Sequence, residues 1–427
     1  MGTISLSQNS TILKEVLVEG KAPLATQNGD TTSFNSSAYK VNKDASAEDL
    51  VGKMPGVTVT DGKVQAQGED VKQVLVDGKP FFGDDAAAVL KNLPAEVIDK
   101  VQVFDKKSDQ ALLTGFEDGN TAKTINIVTK PQFRNGVFGK VYAGYGYEDK
   151  YTGGFTTNIF KGNRRISILG QSNNINQQNF SSEDLVGVMS GSSGGGRGGR
   201  SGGRGGQGGP PSNGADNFQV NNQNGINTTS LFGLNYSDKW GKKTDVTGSY
   251  FFNWTQNNSV SSLLQQYVLG SNTGLIYDES NVSKSNNYNN RINFKLETKL
   301  DSQNTITIQP RLSFQNNDGR KSLSGQNTRS DALLSTTDNN SSSDQMGYNI
   351  SVPLLYRHAF AKKGRTFSIN ATPTLTKNQG ENSLYTINNF YGDTLTGDTI
   401  DQRSDILRNG ASINGNVSYT EPIHKNN

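Results

Sequence analysis

In segments distributed along residues 133–427 apolar and polar side chains alternate one for one. Ile306, Ile308, Pro310, Leu312 and Phe314 interleave with Thr305, Thr307, Gln309, Arg311 and Ser313. Ile292, Phe294 and Leu296 do the same with Asn293, Lys295 and Glu297, and Phe367, Ile369, Ala371, Pro373 and Leu375 with Ser368, Asn370, Thr372 and Thr374. Val137, Val141, Tyr145 and Val246, Tyr250, Phe252, Trp254 behave similarly. Successive strand side chains point to opposite faces, so a period of two predicts strands with one apolar and one polar face. About ten such segments occur, each of roughly the 9–11 residues that cross a bilayer as a tilted strand. Short polar connections (Lys161–Arg164, Lys239–Lys243, Asp301–Asn304, Ala361–Gly364) alternate with long polar stretches near 174–224, 257–286, 317–345 and 379–404. That rhythm predicts an antiparallel transmembrane barrel, with tight turns at one rim and long loops at the other, over a water-soluble sandwich.

Residues 36–130 carry a different pattern, that of a compact α+β unit. Ser46 is a candidate N-cap for a helix over Ala47–Met54, with Glu48 and Asp49 in its first turn and Leu50, Val51 and Met54 as its apolar stripe. Pro55-Gly56 ends it. Asp61-Gly62 predicts a hairpin between Val57–Val59 and Val64–Ala66, and Asp77-Gly78 closes a strand over Val71–Val76. A second helix follows Asp84-Asp85 over Ala86–Asn92, with a short turn after Pro94 through Val97 and Ile98. Val101–Phe104 and Thr124–Thr129 complete a small sheet whose alternate residues, Val101, Val103, Ile125 and Ile127, are expected to pack on the helices.

Residues 1–35 are polar and predict a mobile segment, interrupted by one apolar island at Val16, Leu17 and Val18. The Gly/Arg-rich run 191–209 could in principle bind single-stranded RNA, but three Arg without interleaved aromatics read as a plain surface loop. Net charge is +3 from 42 basic and 39 acidic residues, too balanced to call for a polyanionic partner. There is no Cys, and the two histidines, His358 and His424, lack neighbours at metal-ligand spacing. No apolar run exceeds about five residues, whereas a membrane helix needs about 20. Nothing resembles a nucleophile elbow, a phosphate loop or a His-containing acid–base pair, so no enzyme, cofactor or metal site is expected. Asp84-Asp85 and Glu117-Asp118 read as cap and turn residues.

Several longer motifs carry a family resemblance. They are Leu50-Val51-Gly52-Lys53-Met54-Pro55-Gly56-Val57, Val74-Leu75-Val76-Asp77-Gly78-Lys79, Ile98 to Phe104, and Lys123-Thr124-Ile125-Asn126-Ile127-Val128-Thr129-Lys130. In order and spacing, residues 36–130 resemble the plug domain of TonB-dependent outer-membrane receptors, and 133–427 resemble the N-terminal part of their barrel. Phe81-Phe82-Gly83-Asp84-Asp85 together with Thr114 to Asn120 is similar to a subgroup of outer-membrane β-barrel proteins, and departs from the family's usual small-residue turn before Ile125. The resemblance implies an α+β plug followed by transmembrane strands of a partial barrel in a Gram-negative outer membrane. It also implies energised uptake of a solute, with Glu15, Val16, Leu17 and Val18 at the place where the family contacts TonB. A strand added to a partner's sheet edge would suffice for that contact. The expected partners are the inner-membrane TonB complex, outer-membrane lipid, a solute and, as a further option, a surface lipoprotein; nucleic acid is not among them. The alternatives are a structural or passive barrel within a surface assembly, and an RNA-binding protein resting on the Gly/Arg-rich run. Ten strands are too few to close around a plug of this size, so the chain is expected to be a fragment of a larger barrel.

Overall fold

The computed structural model describes residues 23–422 except 61–62, 84–85, 115–116, 118, 178–224, 271–272 and 393. Glu15, Val16, Leu17 and Val18, the run 191–209, and the Asp61-Gly62 and Asp84-Asp85 pairs all lie outside the described residues.

The N-terminal unit contains β1 (Ala25–Asn28), β2 (Thr31–Asn35), α1 (Ala47–Val51), β3 (Val57–Thr60), β4 (Lys63–Ala66), β5 (Glu69–Asp70), β6 (Gln73–Val76), β7 (Lys79–Pro80), α2 (Ala86–Asn92), β8 (Ile98–Lys107), α3 (Asp109–Thr114) and β9 (Thr121–Thr129). Its main sheet runs β1-β2-β8-β9-β6-β7, with β6 parallel to β9, beside a small β3-β4-β5 sheet. α1 starts where Ser46 and Asp49 form a reciprocal capping box: the Asp49 N–H donates to Ser46 Oγ at 3.3 Å and the Ser46 N–H to Asp49 Oδ2 at 2.8 Å. Leu50 and Val51 of α1, Val89 and Leu90 of α2, and the sheet residues Val74, Val76, Val101, Val103, Ile125 and Ile127 are all at most 1% exposed. Burying each such side chain is worth about 1.5–3 kcal/mol, so this layer holds the N-terminal unit, expected from the sequence to be a plug, together.

The expected boundary at residue 36 falls inside this sheet. β1 and β2, assigned by sequence to a mobile segment, pair with each other, and β2 then pairs with β8. Phe34 explains it: at 5% exposure it joins the core and contacts Tyr39 edge-on at 6.4 Å. One aromatic ring in the right register anchors an otherwise Thr/Asn-rich hairpin.

The rest of the chain is one antiparallel sheet: β10 (Asn135–Tyr145), β11 (Tyr151–Lys161), β12 (Arg164–Asn173), β13 (Ile226–Trp240), β14 (Thr244–Gln266), β15 (Leu275–Lys299), β16 (Asn304–Ile308), β17 (Arg311–Arg329), β18 (Ala332–Ser351), β19 (Leu354–Ala359), β20 (Thr366–Tyr391) and β21 (Leu395–Thr420). β16 and β17 both pair with β15, and β18 and β19 both pair with β20. Pro310 and Pro353 interrupt these two strands because proline has no N–H for the ladder. The twelve segments are therefore ten strand paths, as the alternation predicts. The order is sequential throughout, and among the described residues β10 and β21 are its open edges.

The connections correct the sequence reading at one rim. Tight turns after β11, β13, β15 and β19 sit where expected. The stretches 257–286, 317–345 and 379–404, expected as long loops, are instead continuous hairpins: β14 pairs with β15 to Gln266, β17 meets β18 across Ser330-Asp331, and β20 meets β21 within 391–395. Ser330 and Asp331 take positive φ (48° and 64°), the left-handed pair that a two-residue turn requires. β20 and β21 are 26 residues each, whereas about 9–11 tilted residues span the hydrocarbon. Each is therefore more than twice the length such a span needs.

Candidate functional site

Burial in the sheet is inside out. Asn158, Ser167 and Asn317 are 0% exposed, and Asn235, Asn253 and Asn289 are 2% exposed. Their neighbours Phe155, Ile159, Phe232, Leu234, Ile292, Ile308 and Phe314 are exposed. Ile306 and Leu312 share the Ile308 face and are half-buried. The sheet thus turns an Asn/Ser/Gln wall toward the plug and an apolar band outward, the polarity of a transmembrane barrel.

The plug is fixed to this wall at a few specific points. Asp77 (φ 46°) and Gly78 (φ 78°) make a left-handed turn between β6 and β7 that aims the Asp77 carboxylate sideways. Asp77 Oδ1 accepts from the Thr129 N–H at 2.7 Å, and Oδ2 accepts from Thr129 Oγ1 at 2.6 Å and from Arg165 of β12 at 2.9 Å. Arg165 also donates to the Val76 carbonyl at 2.8 Å and lies over the Phe160 ring at 4.9 Å. The two side chains are 8% and 13% exposed, so this is a buried, fully shaped ion pair joining plug to wall.

Beside it, Phe81 and Phe82 meet edge-on at 4.9 Å and share one apolar cluster with Phe160, Leu169, Leu231 and Phe251 of the wall. The Phe82 N–H donates to Asn235 Oδ1 at 3.0 Å. The seat for the ring is a missing side chain: a Cβ on Gly233 would lie 2.9 Å from both Leu169 Cγ and Phe82 Cε1. We predict that Gly233→Ala loosens the plug by about 1–3 kcal/mol, the usual cost of overpacking. A lowered urea midpoint for plug release, read as protease access to residues 36–130, would show it; an unchanged midpoint would mean that the ring has room to shift.

A third contact is polar. Asp109 of α3 meets Lys295 of β15 at 3.2 Å; Lys295 lies 3.6 Å from Glu297, which takes Arg357 at 2.9 Å. Burial pushes the Asp109 carboxyl up, but the Lys295 charge and hydrogen bond outweigh it and hold the group below its ordinary value. A lowered carboxylate contributes stability at neutral pH and loses it as pH falls through the lowered value, so acid should weaken this contact first on the carboxylate side. Near the tight-turn rim, Lys79 donates to the Asn163 carbonyl at 2.8 Å.

Between these contacts lies a cavity of about 680 Å³, lined by both plug and wall, with recesses of about 280 and 250 Å³ that share Asp109 and Gln309, and Pro80 and Lys295, with it. No helix among the described residues is long and apolar enough to cross a membrane, and no cluster of metal-ligating side chains occurs among them. His358 is bonded to Asn304 Oδ1 at 2.8 Å. Of the sequence motifs, Asp77-Gly78 and Phe81-Phe82-Gly83 turn out to be the docking elements of the plug. Arg165 was not singled out by sequence, although the period of two places it on the polar face of β12.

No protein-family model and no curated protein matches the chain. Among solved structures it is similar to the ferric yersiniabactin uptake receptor FyuA from Yersinia pestis (11% identity, 90% of this chain, 61% of that chain, TM-score 0.26). It is also similar to the siderophore receptor PiuA from Acinetobacter baumannii (12%, 91% and 62%, TM-score 0.30) and to the copper transporter OprC (9%, 92% and 77%, TM-score 0.27). The chain spans about six-tenths of the length of the first two.

Proposed function

We propose that this chain is the plug and N-terminal barrel wall of a gated outer-membrane receptor, which takes up a solute using energy delivered through TonB. One observation carries the reading: a folded α+β unit is seated on the polar face of an antiparallel sheet whose opposite face is apolar. A unit in that position closes the lumen. Its seating includes a buried ion pair, an aromatic socket and a polar network, with a cavity between them. Such contacts are side-chain contacts, so a pull that parts them leaves the backbone ladders of the wall intact.

The path of the pull is set by topology. The chain ahead of residue 23 leads straight into β1, which is exposed along its length and pairs only with β2. Force applied upstream therefore loads the edge of the plug sheet, whose few backbone bonds separate before the core strands β8 and β9 do. Glu15, Val16, Leu17 and Val18 precede this edge in sequence by a few residues and offer a short, largely apolar sequence for pairing with a partner sheet.

The test is Val16→Pro, which removes a main-chain donor and biases Glu15 away from helical backbone. Solute binding at the cell surface should survive, because the substitution leaves the long hairpins unchanged. Uptake driven by the proton-motive force should disappear. Uptake at the wild-type rate would separate this segment from coupling and favour a passive barrel.

A further inference from the structure

The four tight turns at one rim of the sheet share a composition. In three of them an exposed apolar side chain stands beside exposed lysines: Trp240 with Lys242 and Lys243, Leu300 with Lys299, and Phe360 with Lys362 and Lys363. The turn after β11 adds Lys161. Strand pairing brings these turns into one row. The Lys299 N–H donates to the Lys243 carbonyl at 2.9 Å, and the Ala359 N–H to the Gln303 carbonyl at 2.8 Å. The nearby carboxylates are already engaged. Asp238 takes Arg164 at 2.8 Å, Asp245 takes Lys239 at 3.5 Å, and Glu421 takes Arg365 at 2.6 Å together with Lys362. Asp301 accepts the N–H groups of Gln303 and Asn304, both at 2.7 Å, within its own turn. Lys161, Lys242, Lys299 and Lys363 have no carboxylate within ion-pair reach among the described residues. Lys243 donates to the Leu300 carbonyl at 2.8 Å, a neutral partner that leaves its charge in place.

The height of this row on the sheet is a second, independent observation. The chain has two tryptophans, Trp240 and Trp254. Trp240 pairs with Thr244 at the foot of β14, and Trp254 stands ten residues further along that strand. At about 3.3 Å per residue and a tilt near 40°, the two lie about 25 Å apart, the height of the apolar band of a barrel. Trp254 stacks on Tyr288 at 6.3 Å. The Trp240 indole N–H donates to Tyr236 Oη at 3.0 Å, and the residue is 52% exposed. The two margins differ in charge. One row above Trp254, Asp318, Asp344, Glu381 and Asp405 are directly opposite one another across four strands. Lys284, Arg320 and Arg403 in the next row face these four carboxylates. Cations at that margin are balanced, and those beside Trp240 are not.

We infer that the tight-turn rim docks on anionic phospholipid headgroups of the adjoining leaflet. Trp240, Leu300 and Phe360 sit at the edge of the acyl region, and Lys242, Lys243, Lys299 and Lys363 reach the phosphates. A lysine can lay its methylene stem along apolar surface while its ammonium stays in the headgroup layer. Indole rings favour the same depth, apolar on one side and wet on the other. Unpaired lysines next to an anionic lipid surface are attracted to it. A soluble polyanion would match the charge but would leave the exposed Trp, Leu and Phe side chains in water. A bilayer satisfies both at once, and it continues the apolar band above. Lipid contact at this rim presupposes the membrane-spanning sheet of the proposed function, but needs neither the N-terminal segment nor an energy source.

Quenching of tryptophan fluorescence by brominated lipids tests it. The full-length protein carrying Trp254→Phe, in which Trp240 reports alone, is folded into phosphatidylcholine vesicles containing a minority of phosphatidylglycerol. The bromine is placed on one lipid or on the other. Brominated phosphatidylglycerol should quench Trp240 as though enriched about fivefold over its share of the vesicle, the attraction of a single lysine near an anionic surface. The preference should fade at about 1 M sodium chloride, where the screening length falls to about 3 Å. Trp240→Phe leaves Trp254 to report the other margin, and should show no preference. Changing Lys242, Lys243 and Lys299 together to Gln should abolish the preference at Trp240 while insertion is unchanged. Equal quenching of Trp240 by the two lipids, a preference that survives the three Gln changes, or the same preference at Trp254 would each overturn the inference. If the Trp254→Phe chain does not fold, the wild-type chain with and without the three Gln changes gives the same comparison. Insertion without lipid preference removes this inference alone, whereas failure of the wild-type chain to insert into either vesicle removes the membrane reading with it.

Discussion

Arg165→Ala should release the plug from the wall at a cost of about 3–5 kcal/mol, the range for removing one partner of a buried ion pair. The loss is larger than the lost attraction. Asp77 would keep its two bonds from Thr129, but its charge would stay buried without a counter-charge. The Val76 carbonyl would lose a donor, and Phe160 the guanidinium above its ring. Hydrogen exchange at the amides of β6 and β9 should quicken in the variant while exchange in the wall strands stays slow. The paired change Arg165→Met with Asp77→Asn removes both charges and should recover part of the seating energy. If Arg165→Ala and the pair exchange alike, uncompensated charge is not the cause and the contribution is one of packing.

How much of this was legible in the sequence follows from where each residue meets solvent. Under the proposed function the strand pattern is forced where a strand crosses the bilayer: lipid on one side and a polar lumen on the other demand alternation, and Ile306, Ile308, Leu312 and Phe314 display it. Beyond the bilayer both faces of a strand are wet. Residues such as Asp278, Ser322, Asn339 and Asp401 then need no period, although the backbone ladder continues through them. Those segments look like loops by composition and are hairpins by hydrogen bonding. The same limit hid β1 and β2, where Phe34 is the one core side chain in a Thr/Asn-rich hairpin. The plug core was legible because two periodicities agree, helical in Leu50, Val51 and Met54, and twofold in Val101, Val103, Ile125 and Ile127. The docking site was half legible. Asp77-Gly78 and Phe81-Phe82-Gly83 stand out as motifs, but their partners Arg165, Gly233 and Asn235 lie about 90 to 150 positions later. Nothing local distinguishes a wall residue that touches the plug from one that faces water.

Ile308→Arg should oppose membrane insertion by about 2–4 kcal/mol, the cost of a basic side chain on the lipid face near the bilayer midplane. Its position supports that depth. Ile308 is 36% exposed on the outward face and stands four residues above the Asp301–Asn304 turn. At about 3.3 Å per residue and a tilt near 40°, it lies roughly 10 Å above the tight-turn rim, close to the middle of an apolar band about 25 Å tall. Val260 is the matched control. It too is an exposed apolar residue, at 78%, in a regular strand, but it stands sixteen residues beyond Thr244 at the foot of β14, about 40 Å from the same rim by the same arithmetic. Val260→Arg should therefore cost almost nothing, because that part of β14 is already in water. Folding of the full-length protein and both variants into lipid vesicles, followed by urea titration, measures the difference. A large penalty at Ile308 with none at Val260 would fix the height of the bilayer on the sheet. Equal and small effects at both would place Ile308 in water and remove the membrane from the account of this fold.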